Sequence, residues 1–219
     1  MRYNSVFDII GPVMIGSPNP YQVEAVKTGQ LARKIFEHEP EKIEISLYGG
    51  LKKANQYFEL NAAFVGGILG FEINNPLIIN ALSIAKEKGI IINCYEESAK
   101  FPQQNVTKIN LYKEKNKIEI ITCLTGWGKI DLLEVNGFKL KRKETDPALL
   151  IINNDHFYTL SSITSLLTRN KINVNMMRIS KKQQEQSSLI ILETDKLLSY
   201  ELINAIQSMP HIYQAIILD

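Results

Sequence analysis

Hydrophobic and polar positions alternate along this chain with two periods, and the changes of period outline its elements. Gln22 to Phe36 carries apolar residues at helical spacing, with Val26, Leu31 and Ile35 among mixed polar partners. Lys42 to Tyr48 alternates every second residue and predicts a strand. Ala62 to Phe71 is small and apolar, with Gly66 and Gly67 adjacent; Gly66, Gly67 and Gly70 suit a tight packing site better than a phosphate cradle. Pro76 to Lys88 predicts a further helix with Leu77, Ala81, Ile84 and Ala85 on one face, stopped by Gly89. Short strands are expected at 90–95, 106–113, 117–124 and 129–135, parted by turn residues such as Lys115-Asn116 and Asn136-Gly137. Asn-Gly readily takes the positive φ values of a two-residue hairpin turn.

The order of elements changes after the charged segment Lys139 to Pro147, which is either a linker or the last arm of a hairpin. ALLIIN (148–153) reads as a strand, and Leu160 to Asn170 as a helix with Leu160, Ile163, Leu166 and Leu167 on its apolar face. NVNMMRIS (173–180) and SLIILET (188–194) read as strands, with Met176 and Met177 as core and sheet-interface filler. A helix follows from Tyr200 to Met209, capped by Ser199, and then a last strand, IYQAIIL (212–218). The βαββαβ order is that of a ferredoxin-like split βαβ unit. The expected class is α/β (α+β), with one domain at 1–145 and a second at 148–219.

Composition narrows the function classes. Of the 219 residues, 45% are hydrophobic and 22% charged, which predicts a packed core. A formal charge of +2 supplies no broad field for a polyanion, so nucleic acid is not an expected partner. No run reaches the ~20 apolar residues of a membrane span, and MRYNSVFDII lacks the pattern of a secretory signal, so a cytoplasmic location is expected. Cys94 and Cys123 lie in apolar strand-like runs and read as small buried hydrophobes. Two thiols cannot hold a four-cysteine cluster, and His38, His156 and His211 show no metal-ligand spacing, so no metal site is expected. Isolated histidines of this kind read as surface or capping residues.

The chemistry-bearing segments are more specific. Phe7 to Gly16 reads FDIIGPVMIG, and Val65 to Phe71 reads VGGILGF. Both resemble the β chain of the bacterial iron–sulfur-dependent L-serine dehydratases. That family is recognised by G-P-V-M-I-G-P-S-S-S-H-T. Gly11 to Gly16 match it, then Ser17-Pro18-Asn19-Pro20-Tyr21-Gln22 follows, so Pro20 replaces a serine and Tyr21 stands at the histidine position. A second family pattern, L-Y-G-S, K-T, G-H-G-T-D, V-G-G-I-L-G, runs here from Leu47-Tyr48-Gly49-Gly50. Lys53 is retained, while the histidine falls on Phe58, the acid on Asn61, and the two glycines on Tyr57 and Glu59. H-P-N-T appears as Gln103-Gln104-Asn105-Val106, which retains Asn105, and a glycine triplet appears as Gly126-Trp127-Gly128 before Lys129-Ile130. Residues 148–219 resemble an ACT domain, with Asn154, Asp155 and Tyr158 at the loop where such domains bind amino acids; Tyr158 replaces a common glycine.

The resemblance implies a β subunit of an L-serine ammonia-lyase, which converts L-serine to pyruvate and ammonia. It implies an α-chain partner holding a [4Fe–4S] cluster whose open iron acts as a Lewis acid, no cofactor on this chain alone, and a homodimer through the ACT or the N-terminal domain. The departures from the pattern remove hydroxyl and imidazole groups that orient a carboxylate and move protons. Prolines donate no hydrogen bond, and a phenol, with an ordinary pKa near ~10, is a weak base at neutral pH. The chain alone is therefore expected to be inactive. The other reading is a non-catalytic paralogue, binding an amino acid or serving as a scaffold through ACT-mediated dimerisation.

Overall fold

In the computed structural model, residues 20–51, 53–54, 59–99, 101–126, 128–143, 147–154, 156–182 and 187–218 are described. The chain divides into two compact units, residues 1–143 and 144–219. The segment Phe7–Gly16 lies outside the described residues, as do Pro18, Asn19, Tyr57, Phe58, Trp127 and Asp155.

The first unit is built on a six-stranded sheet. Its strands are β1 (Lys42–Leu47), β2 (Ile91–Glu96), β3 (Val106–Lys113), β4 (Asn116–Leu124), β5 (Ile130–Val135) and β6 (Phe138–Lys143), in spatial order β2-β1-β3-β4-β5-β6. β1 and β2 run parallel and every other neighbouring pair is antiparallel. The expected hairpin turn joins β5 to β6, with φ values of 48° at Asn136 and 77° at Gly137. Phe138–Lys143 is thus the last hairpin arm.

Alternation along these strands buries Ile43, Ile45, Leu47, Ile109, Leu111 and Ile120 on one face. Helix α1 (Pro20–Phe36) lies against β3, β4 and β5, and helix α2 (Leu60–Ile68) packs on α1. α2 is apolar on nearly every side, as its burial requires. The two helices cross at Gly29 and Gly67, where a Cβ on Gly29 would lie 2.1 Å from the Phe64 carbonyl oxygen and one on Gly67 2.1 Å from that of Val26. Gly67 is a packing glycine, in agreement with the reading of its sequence.

The predicted helix from Pro76 is instead a 3-10 turn (Pro76–Asn80) running into a short helix, α3 (Ala81–Glu87). Asn75 caps the turn by accepting from the Leu77 N–H at 2.9 Å. Ala81 and Ala85 of the predicted apolar face are buried, but Leu77 is exposed. A second correction concerns Cys94, which is exposed, and Cys123, which is only half-buried. β2 is an edge strand in which no residue is fully buried, and the apolar run IINCY concealed that position.

Glu59 precedes α2 in the left-handed region, with φ 46° and ψ 45°. A side chain there costs about 1–2 kcal/mol relative to ordinary helical backbone. Glu59→Gly is expected to stabilise the first unit by roughly 0.5–1 kcal/mol once glycine's greater unfolded-state entropy is subtracted. A urea midpoint unchanged or lowered by the substitution would contradict this.

The second unit has strands β7 (Ala148–Asn153), β8 (Val174–Lys182), β9 (Ser187–Thr194) and β10 (Ile212–Leu218), in order β10-β7-β9-β8 and all antiparallel. Helices α4 (Phe157–Arg169) and α5 (Tyr200–Gln207) share one core with the sheet, in which Ile163 and Leu167 of α4 and Leu202 and Ile206 of α5 meet Leu149, Ile151, Ile190 and Leu192. This is the ferredoxin-like, ACT-like arrangement. Ser199 caps α5, its hydroxyl accepting from the Leu202 N–H at 3.3 Å. Met177 is exposed and Met176 half-exposed, because β8 is an edge strand rather than a core one.

Candidate functional site

The site forms at one end of the six-stranded sheet, where four loops converge. β1 ends there at Leu47, β3 begins there after Asn105, and β4 ends there at Leu124. Backbone bonds tie the loops together: the Tyr48 N–H donates to the Val106 carbonyl at 3.0 Å, and the Leu124 N–H to that of Asn105 at 2.9 Å. The N-terminus of α1 arrives at the same end. Tyr21 and Glu24 are three residues apart on that helix and so project from one face.

Asn105 is central. It takes the left-handed conformation, φ 58°, which asparagine tolerates better than most residues. Its side-chain amide donates to the Tyr21 hydroxyl at 3.3 Å. Gly50 makes room for it, since a Cβ there would come within 2.6 Å of Asn105 Oδ1. Gly50→Ala should therefore turn the Asn105 side chain away from Tyr21. Tyr21→Phe is then expected to cost about 1 kcal/mol in the native background and less beside Gly50→Ala. Equal costs in a double-mutant cycle would show that Gly50 does not govern this contact.

Glu24 is fully buried. Its carboxylate accepts from the Gly126 N–H at 3.0 Å and the Gly128 N–H at 2.8 Å; the Thr125 hydroxyl, 3.2 Å away, shares its one proton between Glu24 and the Lys129 carbonyl at 2.8 Å. Gly126 and Gly128 have φ of 82° and 74°, which turn their N–H groups toward that carboxylate. Tyr21 packs on the same turn, its hydroxyl 3.5 Å from where a Cβ on Gly126 would stand. Nearby, the Cys123 thiol donates to the Gln104 carbonyl at 3.0 Å. Burial, with the negative charges of Asp131 and Glu24, pushes that thiol above its ordinary pKa.

Beside these loops lies an open cleft of about 320 Å³, lined by Tyr48, Gly49, Glu97, Phe101, Gln103 and Gln104 among others. Tyr48 and Phe101 meet edge-on across it, ring centroids 4.7 Å apart.

All four motif segments thus reach this end of the sheet: Tyr21 from the first, Gly49-Gly50 from the second, Asn105 from the third and Gly126/Gly128 from the fourth. The model of the D-3-phosphoglycerate dehydrogenase intervening domain matches residues 19–136. A probable L-serine dehydratase β chain of Bacillus subtilis (strain 168) is 36% identical over 98% of this chain and 97% of that protein. The chain belongs to the L-serine dehydratase β-chain family. The L-serine dehydratase β chain of Peptoniphilus asaccharolyticus is 24% identical over 92% of each chain. A D-3-phosphoglycerate dehydrogenase of Bacillus subtilis (strain 168) is 21% identical over 91% of this chain but only 38% of its own length.

Pro20 opens α1 and is exposed; Lys53 is exposed on the helical turn after Gly50; Asn61 is half-buried at the start of α2. Phe58 and Asp155 lie outside the described residues. Asn154 and Tyr158 belong to the second unit. There the Asn154 N–H donates to the His211 carbonyl at 2.8 Å, and Tyr158 is 61% exposed on the first turn of α4, open to a ligand or partner. His156 and His211, read as isolated, in fact stack with ring centroids 4.3 Å apart and planes 5° from parallel. His156 occupies the N-cap position of α4 without a side-chain capping bond.

The residues of this chain do not fit a four-thiolate cluster. Cys94 on β2 and Cys123 on β4 are three strand spacings apart, roughly 14 Å, and their register places them on opposite faces of the sheet. Among the described residues, no group of three or more histidine, cysteine or acidic side chains could hold a metal ion. Among them, too, no helix is long and apolar enough to cross a membrane.

Sequence reasoning missed Glu24. The available signal was a lone carboxylate at helical spacing from Tyr21, in a chain that also carries a Gly-x-Gly turn. Nothing local linked the two, since they are about a hundred residues apart.

Proposed function

We propose that this chain is the β subunit of an L-serine dehydratase, acting beside an α chain that carries the lyase chemistry and any iron–sulfur cluster. Its own share of acid–base groups is replaced. The observation that carries this reading is the convergence of all four motif segments on one sheet end, in a chain related to serine dehydratase β chains over almost its whole length. Tyr21 now occupies the histidine position and is engaged by Asn105. Glu24 fills the turn between β4 and β5. A phenol and a sequestered carboxylate can shape and orient a surface, but neither is the imidazole that the family pattern places there. The chain's part is to position the α chain and close its active site to water.

Co-expression with a serine dehydratase α chain tests the partnership. An equimolar complex that survives size-exclusion chromatography is the expected result. An α chain that remains separate while binding a motif-complete β chain would overturn the assignment. No isolated-chain assay substitutes for this, because the proposal concerns a subunit.

A further inference from the structure

A carboxylate buried completely in a protein is costly unless its oxygens are well supplied with donors. Glu24 meets that condition, and the way it does so is informative. Among the described residues, Thr125, Gly126 and Gly128 reach it, from a stretch after β4 that is about a hundred residues away in the chain. Gly126 and Gly128 offer backbone N–H groups, which no side-chain substitution removes, and Thr125 offers a hydroxyl that also faces the Lys129 carbonyl. Glycines in the left-handed region on either side of position 127 aim these groups inward. Backbone N–H groups converging on one point in this way favour an anion. The turn is thus a receptor for a carboxylate, and the carboxylate it holds is part of the same polypeptide.

We propose that the Gly126 and Gly128 N–H groups form a small-carboxylate binding site plugged by the chain's own Glu24 side chain. Without that side chain, the turn accepts a free monocarboxylate. The ligand class follows from the plug: a glutamate side chain beyond Cα is propionate in shape and charge, and beyond Cβ it is acetate. A fully buried plug leaves no room for a second carboxylate, so the native chain binds none there. The proposal stands on the geometry of the isolated chain and does not depend on the assignment as a dehydratase subunit. Its failure would leave that assignment in place.

The test uses the full chain with Glu24→Ala, and sodium acetate as the probe. Truncation leaves the Gly126 and Gly128 N–H groups without their carboxylate, so the melting temperature should fall. Adding 100 mM (~0.1 M) acetate should raise it again by about 3 °C relative to sodium chloride of equal ionic strength. Acetamide, of the same shape but neutral, should not. Propionate should serve Glu24→Gly better than acetate does. The native chain should respond to none of them. If Glu24→Ala does not fold in chloride, the same titration is read as acetate-dependent refolding.

A second readout separates site occupancy from general stabilisation. In a Cys94→Ala background, Cys123 is the one remaining thiol. The negative charge of Glu24 contributes to holding its pKa up. Glu24→Ala should therefore shift the pH midpoint of Cys123 alkylation downward, and acetate should shift it back. A variant whose stability and Cys123 profile ignore acetate, or a native chain that responds equally, would overturn the proposal.

Discussion

Gly67→Ala is expected to destabilise the first unit by about 3 kcal/mol, and Gly29→Ala by a similar amount. Both glycines sit inside helices, where alanine is intrinsically better by up to ~1 kcal/mol. Here the crossing outweighs propensity. A methyl group on Gly67 would stand 2.1 Å from the Val26 carbonyl oxygen and 2.9 Å from the Gln30 nitrogen. Its obstacles are backbone atoms of the facing helix, which cannot turn aside as the end of a side chain can. Accommodation requires α2 to move off α1. That opens gaps around Phe64, which is fully buried. Fluorescence of the single tryptophan at 127, which falls within the first unit, would report the urea midpoint. The double variant should lose less than the sum of the singles, since one displacement relieves both clashes. A cost below ~1 kcal/mol for either single change would show that the crossing is looser than described.

In the presence of an α chain, serine-dependent pyruvate formation by the unaltered chain is expected to be at least ~10⁴-fold below that of a loop-grafted one. Each absent acid–base group removes ~10²–10⁴ in rate, and the two histidine positions are held by Tyr21 and Phe58. Tyr21→His and Phe58→His alone should not restore turnover, because Pro18 and Pro20 still stand where serine hydroxyls would donate. The graft therefore replaces both loops with S-S-S-H-T and G-H-G-T-D, with and without Glu24→Gly. If the turn at 125–128 serves the substrate carboxylate, the graft lacking the Glu24 side chain should be the faster of the two. Turnover by the unaltered chain equal to that of either graft would show that its own residues suffice.

Much of the fold was legible in the sequence because periodicity is a local property. Ile43, Ile45 and Leu47 alternate whatever strand lies beside them, and the Asn136-Gly137 turn carries its own backbone preference. The βαββαβ order of residues 148–218 was readable for the same reason, as was the helix cap at Ser199. Edge positions were not readable. Cys94 and Met177 lie in runs as apolar as any core strand, and only the lateral order of strands leaves β2 and β8 with one neighbour each. That order is set by pairing between distant segments. The candidate site divides along the same line. The sequence by itself determined the family, the four motif segments and the residues replaced within them. Only the tertiary structure brought Tyr21 to Asn105, Gly29 to Gly67, His156 to His211, and the carboxylate of Glu24 into the turn after β4. Each of those contacts joins groups that have no local reason to meet. Forming them requires closing long loops, an entropic cost offset by the fold as a whole, and a pattern read along the chain carries no term for it.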